Sequence, residues 1–526
     1  MIDATHLLRF YARFRRARLK REQPAAAQQA ELLKLVARAR HTKFGREHSF
    51  DRIRSVADFQ LRVPLRSYED FWEAYWKPTF PILRDMTWPG LIPYFALTSG
   101  TSTGRTKYIP VSHEMNASNR RAALDILVHH ITACPASRVL GGKSFILGGS
   151  TDLERLVPGV RAGDLSSIAV LEIPAWARSR TFPPLRLALE PDWAKKVAIF
   201  ARLSLGEDIR SISGTPTWLM FFLDRLMGLR PEHLCRIQAF YPKLELIVHG
   251  GVGFTPYRHR FEELLEGSHA ELREVYPASE GFVAIADAEA HAGLRMILDN
   301  GLFYEFVPRE ELGAQAPARH WIDNAEPGQD YALVLSNNAG LWAYVLGDTV
   351  RLVERYPPRL VVSGRISYFL AAFGEHLRGE EVEAAVTTAA QAVGLNVADF
   401  SVGTLMAARG NNLDAHLYLV EFVPSPPTEE QRLTFAASLD VALIKANSDY
   451  AAHRQAGQLA QPRIEVMRPG AFAAWMKTRG KLGGQHKVPR IVNDFAVFDE
   501  LRRFAVASEM CNGHGSVERH AKSAHG

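Results

Sequence analysis

Short β-rich runs that alternate with helical segments are the feature that most constrains how this chain folds. The runs include residues 144–147, 244–248, 282–285 and 331–335, and most of them have glycine, proline or asparagine close by. Helical segments are predicted at about residues 28–40 and 68–76. Alternation of this kind is typical of helices packed against a sheet. The sequence therefore predicts an α/β fold.

The length of the chain, 526 residues, is too great for a single ordinary hydrophobic core. From about Gly374 the pattern changes to a helix at 380–393, strands around 400–403 and 416–422, and a long helix from 428 to about 448. We predict a large N-terminal domain of residues 1–373 and a smaller C-terminal α/β domain of residues 374–508. Residues 509–526 contain few apolar side chains and are predicted to form a flexible tail.

The composition excludes several classes of protein. Hydrophobic residues make up 47% of the chain and charged residues 23%, which is ordinary for a soluble globular protein. No apolar run approaches the roughly 20 residues needed to span a bilayer, and no secretory-signal pattern is found. Cys134, Cys235 and Cys511 have neither the spacing of a zinc site nor the number for a disulfide framework. We expect a cytoplasmic protein without a membrane partner.

The positive charge of the chain is small and is concentrated only near the N-terminus. The formal net charge is +6, from 63 basic and 57 acidic residues. In the N-terminal segment the apolar residues recur largely at the three- and four-residue spacing of an amphipathic helix; they are Leu7, Leu8, Phe10, Tyr11, Phe14 and Leu19. This pattern favours a surface helix with a solvated basic face over a segment that binds nucleic acid or membrane. No nucleic-acid partner is expected.

The segment from Thr98 to Lys107, TSGTSTGRTK, has the composition of a loop that holds a polyphosphate. Its glycines let backbone N–H groups turn toward an anion, its hydroxyl side chains add donors, and Lys107 adds a point charge. The spacing is not that of a Walker loop, because Arg105 stands where the lysine is required and Tyr108 follows Lys107. Clusters of Ser, Thr and Gly are also common in plain turns, so this loop alone leaves both interpretations open.

Three further motifs follow the loop in a fixed order. They are Tyr276-Pro-Ala-Ser-Glu280, Tyr344-Val-Leu-Gly-Asp348 and Gly364-Arg365. Taken one at a time, these are a proline-containing turn, a Gly-Asp turn and a surface cation. Together with the loop they resemble the ordered core motifs of adenylate-forming enzymes, which make acyl-AMP from a carboxylate and ATP.

The resemblance implies a role for each of these side chains. Tyr276 would lie beside adenine, Ser279 would contact phosphate, and Asp348 would accept hydrogen bonds from the ribose hydroxyls. Glu280 would hold magnesium, since a hard cation prefers oxygen ligands and helps to neutralise charge as pyrophosphate leaves. The other residues implied to bind the nucleotide and its phosphates are Thr98, Ser99, Thr101, Ser102, Lys107 and Arg365. Lys487, in a glycine-rich segment, would neutralise charge on the carboxylate and the α-phosphate.

Four more segments narrow the resemblance to one family. With the first loop, Phe303–Phe306, Gly340–Asp348, Gly374-Glu375 and Gln485–Arg490 resemble the Gretchen Hagen auxin-responsive family of acyl acid amido synthetases, specifically its bacterial branch. The resemblance covers roughly residues 30–500. It implies a large N-terminal domain with a β-barrel and helix-flanked sheets, and a small α/β C-terminal domain that moves between the two half-reactions.

Two residues depart from the pattern of that family. Val345 follows Tyr344 where members usually have arginine, and His376 follows the Gly-Glu pair where lysine is common. We therefore predict that His376 is a catalytic residue whose charge depends on pH, because histidine is only partly protonated near neutrality. These departures predict weaker or pH-dependent stabilisation of phosphate.

The resemblance implies an ATP- and magnesium-dependent ligase that adenylates a carboxylic acid and transfers the acyl group to an amine or amino acid. Residues 213–220 and 249–253 are candidate walls of an acyl pocket, with helix capping as the alternative. Two other functions stay open at this stage. The acyl group could pass to a coenzyme A or carrier-protein thiol, or the chain could be a non-catalytic nucleotide-binding protein.

Overall fold

The fold is described from a computed structural model, in which the described residues form two compact units. The described ranges are 3–99, 106–148, 153–184, 187, 193–230, 236–251, 254, 257–288, 292–312, 314, 316–365, 369–370, 377–405, 415–455, 459–479, 488–492 and 497–503. The first unit contains the described residues up to Arg365, and the second contains those from Phe369 onward. The predicted boundary at residues 373/374 and the predicted tail both lie outside the described residues, so they stay predictions.

The helices of the first unit are mostly short. They are α1 (Thr5–Arg21), α2 (Pro24–Ala39), α3 (Lys43–Glu47), α4 (Val56–Arg62), α5 (Tyr68–Phe71), α6 (His113–Ala133), α7 (Leu165–Leu171), α8 (Ala175–Arg178), α9 (Trp193–Ser204), α10 (Pro216–Met227), α11 (Ile237–Phe240) and α12 (Arg258–Leu265). A π-helical turn, Trp72–Trp76, follows α5, and 3-10 turns lie at Phe50–Arg52 and Arg309–Glu311. No helix among the described residues combines the length and apolar character needed to cross a membrane.

The sixteen strands described in the first unit form two sheets. They are β1 (Tyr94–Ser99), β2 (Thr106–Val111), β3 (Lys143–Ile146), β4 (Glu154–Val157), β5 (Val160–Gly163), β6 (Thr181–Phe182), β7 (Ile209–Gly214), β8 (Leu246–Gly250), β9 (Glu271–Ala278), β10 (Gly281–Ile285), β11 (Leu294–Met296), β12 (Leu302–Pro308), β13 (His320–Trp321), β14 (Asp330–Asn337), β15 (Tyr344–Arg355) and β16 (Pro358–Arg365). The smaller sheet has the order β2-β1-β5-β4. The larger has twelve strands in the order β13-β12-β14-β15-β16-β11-β10-β9-β8-β7-β3-β6.

The large sheet changes from parallel to antiparallel pairing at β9. From β6 through β3, β7 and β8 to β9 the neighbouring strands are parallel. From β9 through β10 and β11 to β16, and on through β15, β14, β12 and β13, they are antiparallel. Parallel strands require crossover connections, whereas antiparallel ones can be joined by tight turns. β9 is therefore the strand at which helix-linked pairing gives way to hairpins.

Aromatic side chains form the centre of the first hydrophobic core. Trp342 is fully buried, and the rings of Phe50 and Trp88 lie 4.8 Å and 6.2 Å from it, measured between ring centroids. The indole N–H of Trp342 donates to the backbone carbonyl of Thr87 at 3.0 Å, which satisfies its one polar group. This core packs the N-terminal helices against β12 and β14, which contribute Phe303 and Val334 among others.

A buried ion pair attaches the N-terminal helix to the rest of the first unit. Arg15 of α1 donates from Nη2 to Asp125 of α6 at 2.6 Å and from Nη1 to Asp299 at 2.7 Å. Its side chain is 5% exposed, so both carboxylates are held by a cation that is itself removed from water. The apolar neighbours of this face are Leu8 and Ala12.

The helix α1 is predicted correctly, but its apolar surface is not. Leu7, Phe10 and Phe14 are 75%, 63% and 63% exposed, whereas the sequence pattern assigned them to a buried face opposite solvated cations. The reason is the buried ion pair, because Arg15 takes the inward position together with Leu8. Periodicity identified the helix, but it could not show that an arginine would face inward.

The second unit contains a three-stranded sheet, a separate two-stranded sheet and helices. Its strands are β17 (Phe369–Leu370), β18 (Leu377–Arg378), β19 (Asn396–Leu405), β20 (Ala415–Val423) and β21 (Arg463–Met467), and its helices are α13 (Gly379–Ala392), α14 (Glu429–Ala446), α15 (Ser448–Gln455) and α16 (Ala471–Thr478). β19 and β20 are antiparallel, and β20 and β21 are parallel. Thr428 and Gln431 form a capping box that begins α14. The predicted α/β class is confirmed for the chain.

Candidate active site

Three parallel strands of the large sheet end at one edge. β7 ends at Gly214, β8 at Gly250 and β9 at Ala278. The register places Gly214 opposite His249 and Gly250 opposite Val275, so these ends are adjacent. In open α/β sheets, ligands bind outside the carboxyl ends of the strands. The described residues of the two segments predicted to line an acyl pocket lie at this edge, and so does the Tyr276–Glu280 motif.

The Tyr276–Glu280 motif forms the hairpin that joins β9 to β10. Ala278 pairs with Gly281 across the hairpin, so Ser279 and Glu280 are its two turn residues. Both are buried, with 6% and 7% of their surfaces exposed. The segment that leads into the motif is a strand, β9. A carboxylate and a hydroxyl are thus fixed in a tight turn at the carboxyl edge of the sheet.

Asp348 is presented by a bulge in β15. Val345 pairs with Val334 and Thr349 pairs with Ala332, so three residues of β15 face one residue of β14. Gly347 has a φ of +96° in this bulge, a backbone conformation that L side chains rarely adopt. Bulges bend a strand and re-aim its side chains, and they are common next to active sites. The Gly-Asp pair is therefore not a turn at the end of a strand, because β15 continues to Arg355.

A hydrogen bond joins the two predicted nucleoside-binding residues. The hydroxyl of Tyr276 donates to Oδ2 of Asp348 at 2.5 Å, and each residue is 7% exposed. The two residues are far apart in sequence, and they lie on β9 and β15, which three other strands separate in the order of the large sheet. Since a carboxylate held by a phenol is oriented before any ligand arrives, this pair is suited to binding a polar ligand in a fixed position.

Arg365 lies opposite Asp348 in the register of β15 and β16. This is the neighbouring strand to the one that carries Asp348, as expected if both residues serve one ligand. Only the backbone position of Arg365 belongs to the described part of the chain, so the role of its side chain stays a prediction.

The predicted phosphate loop begins and ends on a β-hairpin. Thr98 of β1 pairs with Lys107 of β2, and Ser99 pairs with Thr106. The Lys107 ammonium lies 4.0 Å from Oε1 of Glu69 and 5.2 Å from the centre of the Tyr68 ring. Its side chain is 21% exposed, so it still reaches solvent.

Several predicted site residues lie outside the part of the chain that the structure describes. These are Thr101 and Ser102 of the phosphate loop, His376 and Lys487, and the side chain of Ser99. Their roles stay predictions. The other departure, Val345, is described: its backbone N–H donates to the carbonyl of Arg66 at 2.9 Å, and its side chain packs against the first hydrophobic core. At this position the chain has an apolar side chain that packs against the core, where members of the family usually have arginine.

His249 is a buried, neutral side chain at the carboxyl edge. It is 2% exposed and stacks on Phe254, with ring centroids 3.8 Å apart. Burial, and then the positive charge of Arg258, lower the pKa of His249 to about 4. Its Nδ1 has no hydrogen-bond partner among the described residues. An imidazole with this environment gives the edge an aromatic, uncharged wall at neutral pH.

Two asparagines that the sequence analysis did not single out support the site. Asn337 donates from Nδ2 to the backbone carbonyl of Glu280 at 2.7 Å, and its Oδ1 accepts from two backbone N–H groups. The carbonyl of Asn338 accepts from the Ser112 hydroxyl, just beyond β2, at 2.6 Å. The pair therefore links the Glu280 turn to the end of the strand that carries Lys107. The available signal was an Asn-Asn-Ala-Gly sequence at the end of a buried strand.

The described donors and acceptors fit the parts of ATP that the sequence motifs predicted. Asp348 offers a fixed carboxylate for vicinal hydroxyls, and Tyr276 offers a ring beside it. Glu280 offers a carboxylate, the kind of oxygen ligand that a phosphate-bound hard cation prefers, and Ser279 offers a hydroxyl suited to phosphate. Thr98 and Lys107 stand at the base of a loop rich in donors, which suits an anion.

Models of one protein family match three parts of the chain. The GH3 family N-terminal domain matches residues 13–196, the central domain residues 295–365 and the C-terminal domain residues 380–496. In order along the chain, these three matches account for most of its length and include the segments that carry Lys107, Asp348 and Arg365.

Curated relatives and solved structures agree with the family models. Indole-3-acetic acid-amido synthetase GH3.3 of Arabidopsis thaliana is 26% identical over 235 residues, which is 42% of this chain and 39% of the relative. Jasmonoyl–L-amino acid synthetase GH3.5 of Oryza sativa subsp. japonica is 28% identical over 211 residues, 36% of this chain and 35% of the relative. These alignments span well under two thirds of either relative.

The solved structures resemble this one in fold over nearly their whole length. The GH3.15 acyl acid amido synthetase has a TM-score of 0.74 at 17% identity, with 92% of this chain and 93% of that one covered. A 2-hydroxyisobutyryl-CoA ligase has a TM-score of 0.62 at 16% identity, with 93% and 94% covered. With all three domain models matched in order and the whole fold shared, the chain belongs to the GH3 family.

Proposed function

We propose that this protein is an ATP-dependent acyl acid amido synthetase. It adenylates a carboxylic acid, releases pyrophosphate, and transfers the acyl group from the adenylate to an amine or amino acid. The observation that carries this proposal is the hydrogen-bonded pair of Tyr276 and Asp348 beside the Ser279-Glu280 turn, in a chain with all three GH3 domains. Activation is needed because a carboxylate is a poor electrophile.

The nucleoside is held by the Tyr276 and Asp348 pair. Asp348 accepts hydrogen bonds from the ribose hydroxyls, while the phenol of Tyr276 fixes the carboxylate and its ring lies beside the base. Both groups are already buried, so little reorganisation is needed when the ligand binds. We assign Arg365 to the same nucleotide because its backbone is opposite Asp348 in the sheet.

The phosphates are held by the first hairpin and the β9–β10 turn. Lys107 and the hydroxyls of Thr98, Ser99, Thr101 and Ser102 donate to phosphate oxygens, and Ser279 adds a donor at the turn. Lys487 and His376 are proposed to neutralise the charge that develops at the α-phosphate during attack. The attacking carboxylate oxygen forms a bond to the α-phosphorus as the bond to pyrophosphate breaks.

Magnesium is the proposed metal, and Glu280 is its proposed protein ligand. Bound there with phosphate oxygens, the ion would neutralise the charge of the leaving pyrophosphate. The carboxylate of Glu280 is on a tight turn whose carbonyl is held by Asn337, which restricts the position of the ligand. Removal of magnesium with a chelator is therefore expected to stop pyrophosphate release.

The acid is proposed to bind at the carboxyl ends of β7 and β8. Ser213 and Gly214 end one strand, and His249 and Gly250 end the next. The buried imidazole of His249 and the ring of Phe254 offer a flat, uncharged surface. This surface suits a carboxylic acid with an apolar or aromatic body, a class to which the indole-3-acetic acid in the names of the curated relatives belongs.

The first half-reaction is tested by ATP–pyrophosphate exchange with a panel of acids that includes indole-3-acetate, jasmonate and benzoates. We expect exchange with at least one apolar acid, dependent on added magnesium. Glu280→Gln should reduce exchange at saturating ATP more strongly than it reduces ATP affinity, because its role is with the leaving group. If the protein bound ATP but showed no exchange with any acid, the result would contradict the proposal and favour a non-catalytic nucleotide-binding protein.

The second half-reaction is tested by the mass of the product formed from the accepted acid. Amino acids, simple amines and coenzyme A are offered separately as acceptors. Amide products identify an amido synthetase. A thioester formed in preference to any amide would contradict the proposal and favour the alternative acceptor, while leaving the adenylation step intact.

A further inference from the structure

Helix α1 exposes a stripe of large apolar side chains. Leu7, Phe10 and Phe14 are 75%, 63% and 63% exposed, and their spacing of three and four residues places them on one face of the helix. The rings of Phe10 and Phe14 are 5.1 Å apart and meet edge to face. Because the inward face of α1 is already occupied by Leu8 and Arg15, the stripe cannot be buried by a small rotation of the helix.

The same helix is strongly basic. Its 17 residues contain seven arginines and lysines and no acidic residue. Four of the cations are exposed and make no ion pair or hydrogen bond among the described residues; they are Arg13, Arg16, Lys20 and Arg21. At 100° per residue, Arg13 lies beside the apolar stripe and Arg21 continues it. A contiguous apolar surface is thus bordered by cations that are available to a partner.

A surface groove of about 770 Å³ lies beside the stripe, between α1 and α2. Its apolar lining comes from Phe14, Ala17, Ala26, Ala27 and Ala30, and its cations are Arg18 and Arg21. The groove also contains three carboxylates, which face cations of the same unit: Glu22 lies 3.8 Å from Arg295, Glu31 3.3 Å from Lys34, and Asp299 2.9 Å from Arg18. Each carboxylate of the groove thus faces a cation, and Arg21 is the cation of the lining that has no ion pair among the described residues.

We propose that this face of α1 binds the surface of an anionic lipid bilayer. The side chains of Leu7, Phe10 and Phe14 enter the boundary between headgroups and acyl chains. The bordering cations remain at the level of the lipid phosphates, as long basic side chains do at interfaces. The alanine-lined groove gives space beside the stripe for part of a lipid. This inference does not depend on the proposed enzymatic activity.

The charge of the helix argues against a second copy of the chain as the occupant. Two copies that paired through this face would bring Arg13 and Arg21 of each close to the cations of the other, with no acidic residue of α1 to offset them. An acidic protein would satisfy the cations, but it would need an apolar patch of its own to cover the phenylalanines. An anionic bilayer offers negative charge for the cations and an apolar interior for the phenylalanines in one surface.

The test is flotation of the full-length protein with vesicles. One set of vesicles is phosphatidylcholine alone, and the other also contains phosphatidylglycerol. We expect binding to the anionic vesicles only, weakened by added salt because the charges are screened. Phe10→Ser with Phe14→Ser should reduce the partition coefficient by about tenfold or more, since each exposed ring contributes apolar burial. Arg13→Gln with Arg21→Gln should reduce it and flatten its dependence on salt.

The matched control is Arg202→Gln with Leu203→Ser on α9, another exposed pair of one cation and one apolar residue. It should bind vesicles as the unmodified protein does. All variants should retain the thermal midpoint of the unmodified protein, because the changed side chains are exposed. Equal binding to both kinds of vesicle, or binding unaffected by the Phe10 and Phe14 changes, would overturn the proposal. Binding to soluble polyglutamate but not to vesicles would also overturn it, in favour of an acidic protein.

Discussion

At the scale of single residues, the site depends on a carboxylate whose position is fixed before the ligand binds. Asp348 accepts a hydrogen bond from the Tyr276 phenol while both groups are buried. A bulge and the positive φ of Gly347 direct Asp348 away from the regular path of β15. Orientation of this kind lowers the entropy lost on binding. The hydrogen-bonded pair is therefore stronger support for a ligand site than either residue alone.

Asp348→Asn is predicted to weaken ATP binding by about tenfold or more, because an amide offers the ribose hydroxyls a weaker acceptor than a carboxylate. Tyr276→Phe should have a smaller effect, since the acceptor remains and only its orientation is lost. Titration calorimetry with ATP measures both. The chain would be shown to bind nucleotide elsewhere if Asp348→Asn left the affinity unchanged.

His249 predicts how stability depends on pH. Burial holds the pKa of His249 at about 4, below its ordinary value of 6.5. As the pH falls below 6.5 the unfolded chain takes up a proton that the native protein does not accept until about pH 4. The free energy of unfolding should therefore decrease in this window, by at most about 1.4 kcal/mol per pH unit from this group.

The contribution of His249 is isolated by comparing variants in urea at several pH values. His249→Phe keeps a ring against Phe254 and removes the proton-binding group, so its stability should fall less steeply than that of the unmodified protein between pH 6.5 and 4. His259→Gln, at a side chain that is 78% exposed, serves as the control and should keep the original slope. Identical slopes for all three proteins would show that His249 is accessible to protons in the native state.

Sequence motifs located part of the site, and the structure explains which part. Tyr276, Glu280 and Asp348 were predicted because each stands in a short motif with a fixed order along the chain. Asn337 and Asn338 were missed because their roles come from contacts with Glu280 and Ser112, which are distant in sequence. Local patterns identify the residues that contact a ligand more readily than those that support them from another strand.

At the scale of secondary-structure elements, the hairpin between β9 and β10 positions the proposed metal ligand. Gly281 follows Glu280 with a φ of +152°, and a Cβ there would lie 2.6 Å from Cδ2 of Leu302. The close approach of β12 to this turn therefore requires glycine at the start of β10. It also explains why the turn can be both tight and buried.

Gly281→Ala is predicted to destabilise the protein by about 2–4 kcal/mol, through backbone strain together with the clash against Leu302. Gly328→Ala is the matched control, because Gly328 also has a positive φ, +87°, but a Cβ there would meet no atom within 4 Å. It should cost only about 1 kcal/mol, from the strain alone. Urea unfolding measures both, and equal losses would contradict the assigned clash.

The elements show what hydrophobic periodicity can and cannot predict. The helices α1, α2 and α14 and strands such as β14 and β20 were expected at nearly their observed positions. The inward face of α1 was not, because its ion pair with Asp125 and Asp299 comes from partners far along the chain. A pattern of apolar spacing indicates that a helix has faces, but the partners decide which face is buried.

At the scale of the whole molecule, the large sheet changes from parallel to antiparallel at β9, the strand that carries Tyr276. β8 and β9 are parallel, and β9 and β10 form a hairpin, so the Tyr276–Glu280 motif lies where the two halves of the sheet join. The α/β class follows from the alternation of elements in the sequence. The strand order does not, because β16 pairs with β11, which lies much earlier in the chain, and pairing over such a distance has no local signature.

The ion pairs of Arg15 allow a final prediction about how the first unit is held together. Arg15→Met is expected to lower the free energy of unfolding by about 3–5 kcal/mol, because it leaves Asp125 and Asp299 buried without their main cation. Arg18→Met is the matched control: Arg18 lies on the same helix and contacts the same Asp299 at 2.9 Å, but its side chain is 65% exposed.

Because water screens an exposed cation, Arg18→Met should cost no more than about 1 kcal/mol. Urea unfolding followed by fluorescence measures both variants. Limited proteolysis gives a second measurement, since α1 should become susceptible in Arg15→Met before the rest of the unit unfolds. Equal stability of the two variants would mean that α1 is held by Leu8 and Ala12 alone, and that the buried arginine is not what determines which face of α1 points inward.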